Sequence, residues 1–236
     1  MQTIGRFVDA ERLFAVAVRS YPTIPDLSYG HGCALQQLQR YEDALASFAR
    51  ALALRPDFIE ARNNRGVTLL KMKRYKEALA AFDVLKAKDD HGRALVFNNR
   101  AAALLGLNRH EEALPCIEQS IALIPDQADS HNTHAAILMA LGRYEEALAC
   151  EFDIRQIPFA RQVAVPFRYK GTRMPCVYRV DFVVYEIAVE LKSVEKLVPL
   201  HEAQILSYMR MLKLTEGLLM NFNVKRMVDG IRRFLL

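Results

Sequence analysis

The apolar and small residues of the first 150 positions recur with a helical period. An aromatic residue or histidine returns at intervals of 34, 35 and 34 residues, and an alanine follows it three residues later each time. Small side chains at fixed positions let antiparallel helices approach closely, and a proline stops the second helix. The pattern therefore predicts stacked helical hairpins. The recurring residues are Tyr41, Tyr75, His110 and Tyr144, with Ala44, Ala78, Ala113 and Ala147.

After Cys150 the pattern changes to the two-residue alternation that is typical of strands. Residues 198–213 keep the spacing of an amphipathic helix. We therefore predict a second, α/β domain. Its strands are expected at residues 161–170, 176–185, 187–194, 217–222 and 230–236, with a turn at 170–175 and the apolar side of the helix at Ile205, Tyr208, Met209 and Leu212.

The charge of the chain is unevenly distributed. Residues 1–150 hold 18 basic and 18 acidic side chains, whereas residues 151–236 hold 14 basic and 9 acidic ones. The whole basic excess therefore lies in the last third of the chain. This excess is consistent with a polyanionic partner such as nucleic acid, and also with a mildly basic surface that binds nothing.

The sequence shows no sign of membrane insertion or secretion. No apolar run approaches the ~18 residues that a membrane span needs, and the start of the chain lacks the long apolar segment of a signal peptide. We therefore expect a cytoplasmic protein without membrane contact. The cysteines are too far apart for a metal motif, so we expect reduced thiols in or near the core. They are Cys33, Cys116, Cys150 and Cys176.

The helical period resembles the tetratricopeptide repeat (TPR). The resemblance covers residues 1–150 as a half-repeat, three full repeats and the start of a fourth at about residue 128. It implies an all-α solenoid whose groove binds a peptide or protein. Asn63, Asn98 and Asn132 share one repeat position. Their amides can bind an extended peptide backbone or can simply be solvated on the groove surface. The full repeats are expected at about 25–58, 59–93 and 94–127.

The predicted strands on either side of residue 185 bring two acids together. A two-residue turn after Val184 would place Val184 opposite Ile187. The same register places Asp181 opposite Glu190, and side chains of cross-strand partners point to the same face. Strand alternation then puts Lys192 on the face of Glu190. The hairpin therefore predicts a cluster of two carboxylates and one ammonium group.

Like charges directly opposite one another destabilise a sheet, unless a cation lies between them. Mg²⁺ suits this position because it takes oxygen ligands and is usually held by one or two carboxylates with water and phosphate. Lys192 can then orient or deprotonate an attacking water and stabilise charge on a phosphate. Alternatively, Lys192 forms a structural salt bridge to the acids. The spacing leaves both interpretations open.

The order Asp181, Glu190, Lys192 resembles the signature of PD-(D/E)xK nucleases, with Val180 in the position of the proline. Over residues 144–236 the sequence is similar to the GxxExxY family, a prokaryotic branch of that superfamily. The resemblance implies a small α/β (α+β) restriction-endonuclease-like domain. It also implies that Asp181 and Glu190 bind Mg²⁺ or Mn²⁺, that Lys192 is catalytic, and that the substrate is DNA or RNA.

Polar residues of the predicted helix 198–213 add to this site. Gln204 and Tyr208 resemble the Q-x-x-x-Y element of RecB-like nucleases, which flanks the active site. Residues four apart share a helix face, and His201 lies one turn earlier on it. The three side chains can instead pack the helix on the sheet with their polar ends exposed. We include Gln204 and Tyr208 among the candidate catalytic residues.

The sequence departs from the GxxExxY family at the motif that names it. Leu138 and Leu141 occupy the glycine and glutamate positions of that motif. The segment around Tyr144 fits both the fourth repeat and the first helix of the nuclease domain, so one helix is expected to serve both. Glu145, one turn beyond Leu141, is a candidate to replace the lost glutamate.

Two functions therefore remain open from the sequence. The first is a Mg²⁺-dependent nuclease for DNA or RNA, recruited through a TPR protein-binding module. The second is a non-catalytic TPR adaptor with a degenerate nuclease-fold domain, with or without nucleic-acid binding. A third interpretation, a pure scaffold without nucleic-acid contact, is disfavoured by the basic excess of residues 151–236.

Overall fold

Helices occupy the chain from Gln2 to Ile154 in the computed structural model. The structure describes residues 2–85, 87–165, 168–169, 172–173 and 178–236. Cys176, residues 166–167 of the first predicted strand, and residues 170–171 and 174–175 of the predicted turn lie outside these residues. Residues 172–173, which the sequence assigned to the turn, form a short strand that pairs with residues 168–169. The helices are α1 (Gln2–Ser20), α2 (Pro25–Gln37), α3 (Tyr41–Leu54), α4 (Ile59–Lys71), α5 (Tyr75–Asp83), α6 (Asp90–Gly106), α7 (His110–Leu123), α8 (Ala128–Ala140) and α9 (Tyr144–Ile154).

The chain divides into two compact units, which we call the repeat unit (residues 1–141) and the sheet unit (residues 142–236). In the repeat unit, α2–α3, α4–α5 and α6–α7 form the three helical hairpins that the period predicts, and α8 begins a fourth. The third hairpin begins at Asp90, a few residues before the predicted start, because Asp89 caps α6 by accepting a hydrogen bond from the Gly92 N–H.

The core of the repeat unit is built from the recurring small and aromatic residues. Ala44 and Ala78 are fully buried, and so is Phe48. A Cβ atom on Gly32 would lie only 2.6 Å from the Phe48 ring, so the glycine is what lets the ring approach the neighbouring helix. Burial of each such aromatic side chain stabilises the fold by roughly 1.5–3 kcal/mol.

The first helix of each repeat ends at a residue with left-handed backbone. Gln39, Lys73, Asn108 and Gly142 occupy the same turn position, with φ of 59°, 59°, 57° and 73°. This conformation closes the helix and reverses the chain. Glycine adopts it without the steric cost that a side chain brings, so three of the four turns carry some strain.

In the sheet unit the described elements besides α9 are β1 (Phe159–Val165), β2 (Arg168–Tyr169), β3 (Thr172–Arg173), β4 (Tyr178–Val184), β5 (Ile187–Lys192), α10 (Pro199–Leu212), β6 (Glu216–Asn221), a short 3₁₀ helix (Met227–Gly230) and β7 (Ile231–Leu235). Five of the strands form a sheet with the order β1-β4-β5-β6-β7, and β2 and β3 form a separate two-stranded sheet. Strands β4 and β5 are antiparallel, whereas β5 and β6 are parallel and are connected through α10. This mixed sheet confirms the predicted fold class.

Helices cover both faces of this sheet. The α10 residues Ile205 and Met209 pack with Ala188, whereas Phe152 of α9 packs in the cluster that contains Val189. Because adjacent strand residues point to opposite faces, α10 and α9 lie on opposite sides. In the described part of the chain, no helix is long and apolar enough to cross a membrane.

Candidate active site

The β4–β5 hairpin has the register that the sequence predicts. Val184 pairs with Ile187 across a tight turn in which Tyr185 has a φ of 52°. A positive φ is what tight hairpin turns require. The last described pair of this ladder is Phe182 with Val189.

Strand β4 also pairs with β1 from Val184 to Tyr178, and β5 pairs with β6 from Ile187 to Lys192. Both of these ladders continue past Phe182 and Val189, whereas the β4–β5 ladder ends there among the described residues. Asp181 and Glu190 are the next residues of the two strands and therefore lie at the end of this ladder, which we call the fork. There the Leu191 N–H is bonded to the Asp181 side chain.

Glu190 is the buried acid of this fork. Only 3% of its surface is exposed, and its Oε1 accepts hydrogen bonds from Lys192 Nζ at 2.6 Å and Gln204 Nε2 at 2.7 Å. Its Oε2 is buried and has no hydrogen-bond partner among the described residues. Burial raises the pKa of Glu190, and the charge of Asp181 raises it further, against the lowering effect of Lys192. An oxygen left in this state is ready to accept a cation or a proton.

Asp181 is half-buried and is held by two donors. Its Oδ2 accepts the backbone N–H of Leu191 at 2.7 Å, and its Oδ1 accepts Gln162 Nε2 at 3.2 Å. Burial raises the pKa of Asp181, although the Leu191 N–H and the charge of Lys192 act in the opposite direction. Both acids are therefore easier to protonate than ordinary carboxyl groups.

A third carboxylate is linked to Asp181 by a single amide. Gln162 Nε2 donates to Glu145 Oε2 at 3.1 Å as well as to Asp181. Glu145 also pairs with Arg161, whose Nη2 lies 3.2 Å from Glu145 Oε1. The sequence suggested Glu145 as a replacement acid but did not indicate Gln162. Gln162 lies inside β1 with a left-handed backbone (φ of 50°), and its side chain connects α9 to the fork. A local sequence pattern does not predict such a backbone for glutamine.

Gln204 joins the helix α10 to Glu190. Besides its bond to Glu190, its Nε2 lies 2.8 Å from the Tyr208 hydroxyl oxygen and donates to it. Burial raises the pKa of Tyr208, so the phenol stays protonated. His201 instead accepts the Val198 N–H at the start of α10. The structure therefore brings Gln204 and Tyr208 to the acids and places His201 in the helix cap.

The two leucines at the positions of the family motif belong to the repeat unit. Leu138 is 1% exposed, and Leu141 packs against the cluster that contains Leu104 and Ile117. Apolar residues are needed there to complete the repeat core. The repeat fold therefore explains why neither position carries a polar residue.

A cavity of about 450 Å³ opens beside the fork. It gives Asp181 and Lys192 access from outside, and Glu145 lies on its wall. The other described residues of the lining are Gly142, Arg143, Tyr144, Glu146, Arg161, Leu191 and Ser193.

These groups fit a hard divalent cation. Mg²⁺ and Mn²⁺ prefer oxygen ligands and are often held by one or two carboxylates, and Glu190 Oε2 is a buried oxygen without a donor. In the described ranges, no three histidine, cysteine, aspartate or glutamate side chains come together as a complete metal site. The protein oxygens would therefore supply part of the coordination, with water or phosphate supplying the remainder.

Comparison with known proteins supports both units. Residues 29–92 and 98–153 match the sequence profile of the tetratricopeptide repeat. This chain belongs to the TPR family. Residues 133–234 match the profile of the PD-(D/E)XK nuclease superfamily. The TPR protein thus carries a nuclease-superfamily domain, and the two matches overlap over residues 133–153, which include α9 except its last residue.

The repeat part of this TPR protein is similar to several solved structures. MamA from Desulfovibrio magneticus RS-1 is 24% identical over 64% of this chain and 85% of its own, with a TM-score of 0.58. MamA AMB-1 is 22% identical over 64% and 89%, with a TM-score of 0.56. YrrB, described as a TPR protein with an unusual peptide-binding site, is 20% identical over 61% and 73%, with a TM-score of 0.50. These likenesses show the fold. A search of curated proteins found no match.

The three asparagines predicted for the TPR groove have different surroundings. Asn63 Oδ1 accepts a hydrogen bond from Asn99 Nδ2 at 3.0 Å. Asn98 is 8% exposed, and its Oδ1 has no hydrogen-bond partner among the described residues. Asn132 is exposed. The shared repeat position therefore does not give a uniform row of amides.

Proposed function

We propose that the sheet unit hydrolyses phosphodiester bonds of DNA or RNA in the presence of Mg²⁺ or Mn²⁺. The observation that supports this most is the buried Glu190 beside the half-buried Asp181 at the fork, with Lys192 Nζ 2.6 Å from Glu190 Oε1. Burying an acid without full compensation costs free energy. A fold keeps such groups where a ligand or a reaction uses them.

In this proposal Asp181 and Glu190 hold the metal ion. When bound, the ion polarises a phosphoryl oxygen and lowers the pKa of a bound water. The Leu191 N–H fixes one oxygen of Asp181, and Gln204 fixes one oxygen of Glu190. Glu190 keeps Oε2 without a donor. The Oδ1 of Asp181 also accepts Gln162 Nε2, so it would bind the ion through its second lone pair.

Lys192 supplies the positive charge. Its side chain is 18% exposed and lines the cavity beside the fork, so its ammonium group can donate to a phosphate oxygen or orient the attacking water. Gln204 and Tyr208 act as positioning residues in this proposal. Gln204 donates to Glu190 from α10, and the Tyr208 hydroxyl accepts a hydrogen bond from the same Gln204 amide.

The test is a cleavage assay on single-stranded and double-stranded DNA and RNA, with Mg²⁺, Mn²⁺ or EDTA. We expect metal-dependent cleavage that Asp181→Asn strongly reduces, because it removes a ligand of the metal ion. Lys192→Met should reduce it by about 10²–10⁴-fold, the usual effect of removing a group that moves or orients a proton. The matched controls are Glu195→Gln and Lys196→Met, which change exposed residues after β5. Cleavage that both active-site variants retain would overturn the assignment.

A second candidate is a non-catalytic adaptor that binds nucleic acid. It is favoured by the Lys192–Glu190 ion pair, which already satisfies one oxygen of Glu190, and by the leucines at positions 138 and 141. In that case the assay gives no cleavage with any metal, while gel-shift binding of DNA or RNA persists.

For the repeat unit we propose binding of an extended peptide segment of a protein partner. The unpaired Asn98 Oδ1 supports this, because a buried carbonyl oxygen without a donor can accept a peptide N–H. The test uses a fluorescent peptide selected on the wild-type protein from a random library. Asn63→Ala and Asn98→Ala should weaken its binding about tenfold, whereas Asn223→Ala in the sheet unit should not. Equal affinity for all three variants would contradict the proposal.

We also propose that α9 serves both domains, a TPR domain at residues 1–150 and a nuclease-like domain of the GxxExxY branch at 144–236. The overlap of the two profile matches supports this. Limited proteolysis should therefore spare α9. Early cuts within residues 144–154 would contradict this proposal, because they would show that the helix is not stably packed in either domain.

A further inference from the structure

A second cavity, of about 430 Å³, is lined in part by Gln204 and Tyr208. Its volume is within the range of about 300–1,000 Å³ that small-ligand pockets have. We call it the α10 groove. Its described lining consists of Tyr178, Leu200, Ala203, Gln204, Ser207, Tyr208 and Met211.

The α10 groove has the chemistry of a site for a flat, weakly polar group. Leu200, Ala203, Ser207 and Met211 follow one another at helical spacing and form one stripe of α10. The Tyr178 side of the groove supplies an aromatic ring that is 48% exposed. None of the described lining residues is charged. Such a groove suits a ring system rather than an ion.

The groove is linked to the candidate active site through Gln204. Gln204 and Tyr208 form part of its wall, and Gln204 Nε2 also donates to Glu190 Oε1 at 2.7 Å. One side chain therefore separates the acid that would face the phosphate from the groove that would hold the neighbouring group. A nucleotide has this combination, since its phosphate is joined to a base.

We propose that the α10 groove binds an unpaired nucleobase, so that the substrate class of the sheet unit is single-stranded nucleic acid. This inference rests on the proposed function. A base can stack on Tyr178 and contact Met211 only when its own faces and edges are free. In a duplex the bases are stacked on each other and paired, so entry would require unstacking and unpairing. Aromatic platforms are typical of proteins that bind single strands.

The experiment measures binding without cleavage, in EDTA, by fluorescence anisotropy. The probes are labelled single-stranded DNA, single-stranded RNA and blunt DNA duplex of one sequence. We expect the full chain to bind at least one single strand about tenfold more tightly than the duplex, the loss that one stacked base accounts for. The DNA and RNA arms identify which sugar the site accepts.

The decisive variant is Ala203→Phe, which fills the α10 groove from an exposed helix position. It should weaken single-strand binding about tenfold and leave duplex binding unchanged. Its control is Ala160→Phe, the same change at an exposed position of β1 outside the groove. Both variants are first checked for wild-type melting temperature, and if Ala203→Phe fails this check, Ser207→Phe replaces it.

A 2-aminopurine in the single strand provides a second measurement. Its fluorescence should change on binding to the wild-type protein and not on binding to Ala203→Phe. The inference is overturned if the duplex binds as tightly as the single strands, or if Ala203→Phe binds the single strands like the wild type. If either outcome were accompanied by metal-dependent cleavage of duplex, the proposed nuclease function would still stand. Absence of both binding and cleavage would overturn both proposals.

Discussion

The repeat unit and the sheet unit bury polar groups for different purposes. In the repeat unit the buried polar side chains are neutral, and pairs such as Ser120 and Ser130 bond to each other, with their oxygens 2.9 Å apart. In the sheet unit Glu190 is buried with one oxygen unpaired, and it is the one acidic or basic residue of the described chain that is less than 9% exposed. Ser28 and Asn98 of the repeat unit also each keep a buried oxygen without a partner, but a neutral group in that state costs far less free energy than a carboxylate does. The fork therefore differs from the repeats by its buried charge.

Helix α9 shows the same contrast within one element. It begins like the other second helices of the repeats, with an Arg143–Glu146 ion pair at the position of Arg74–Glu77. The aromatic at its start has a different partner, however. The Tyr75 ring lies where a Cβ on Gly106, in the following repeat, would come within 2.5 Å.

Tyr144 instead stacks on Phe222 at the end of β6, with ring centroids 4.6 Å apart. Four residues after its buried alanine, α9 carries Glu151 where α3 carries Phe48. Phe152 beside it packs on Phe159 and Phe182 of the sheet. The repeat pattern thus ends halfway along the helix, and the sheet supplies the contacts that a further repeat would have made.

The largest expected effect concerns the repeat core. Phe82→Ala removes a ring that is 1% exposed and packs against Gly66. We expect a loss of about 3–5 kcal/mol in the free energy of unfolding, measured with urea, because the cavity cannot close in a stack of helices. Phe222→Ala, at a half-buried ring of the sheet unit, should cost less. Equal losses would show that the two units rely on their aromatics to the same extent.

The next effect is stabilisation of the sheet unit by a divalent cation. A ligand that binds the folded state at a hundred times its dissociation constant adds about 2.7 kcal/mol. Mn²⁺ or Mg²⁺ should therefore raise the melting temperature of the wild-type protein, and Glu190→Gln should abolish most of this increase. Glu112→Gln, at an exposed acid of the repeat unit, is the control and should keep it. A wild-type protein that no divalent ion stabilises would contradict the metal site.

The two units should also respond to pH with opposite signs. The raised pKa of Glu190 means that the folded state binds the proton more tightly than the unfolded state does. Its ionisation therefore destabilises the fold as pH rises from about 4 through the raised pKa. In EDTA, the stability of Glu190→Gln relative to the wild type should increase over that range, as measured by urea unfolding.

Glu112 provides the opposite case. Its hydrogen bond to Arg109 lowers the pKa of Glu112, so this acid adds stability that is present above its ordinary pKa and is lost as pH falls through the lowered value. The stability of Glu112→Gln relative to the wild type should therefore decrease as pH rises. The same slope for both variants would contradict the environments described above.

The sequence predicts most of the fold because local patterns determine it. The repeat period, the strand alternation and the pairing of Val184 with Ile187 follow from residues close together in the chain. The same reasoning brought Asp181, Glu190 and Lys192 to one region. It could not show that the β4–β5 ladder ends before this pair, because the end of the ladder is set in the assembled sheet, where the ladders to β1 and β6 continue.

The hydrogen bonds of Gln162 to Glu145 and Asp181 could not be predicted from the sequence either. They join Glu145 of α9 to Asp181 of β4 through a residue of β1, so they depend on three elements and on one left-handed backbone position. Glutamine is not a residue that marks such a position, since a positive φ is uncommon outside glycine, asparagine and aspartate. Long-range contacts of this kind emerge only when the elements are assembled.

The smallest effect tests the turn that all four repeats share. Gln39 and Lys73 hold φ of 59°, which costs an ordinary residue roughly 1–2 kcal/mol relative to right-handed backbone. Glycine avoids that cost but makes the unfolded chain more flexible. We therefore expect Gln39→Gly and Lys73→Gly each to raise the free energy of unfolding by up to about 1 kcal/mol.

The reverse change completes this comparison. Gly142 has a φ of 73° and open space around the position where a Cβ would lie, so Gly142→Ala brings backbone strain and no steric clash. It should lower the free energy of unfolding by about 1 kcal/mol. Because Gly142 also lines the cavity beside the fork, the same variant shows whether this turn matters for the metal. An unchanged response to Mn²⁺ together with lower stability would assign the glycine to the repeat architecture, whereas a weaker response would assign it to the site.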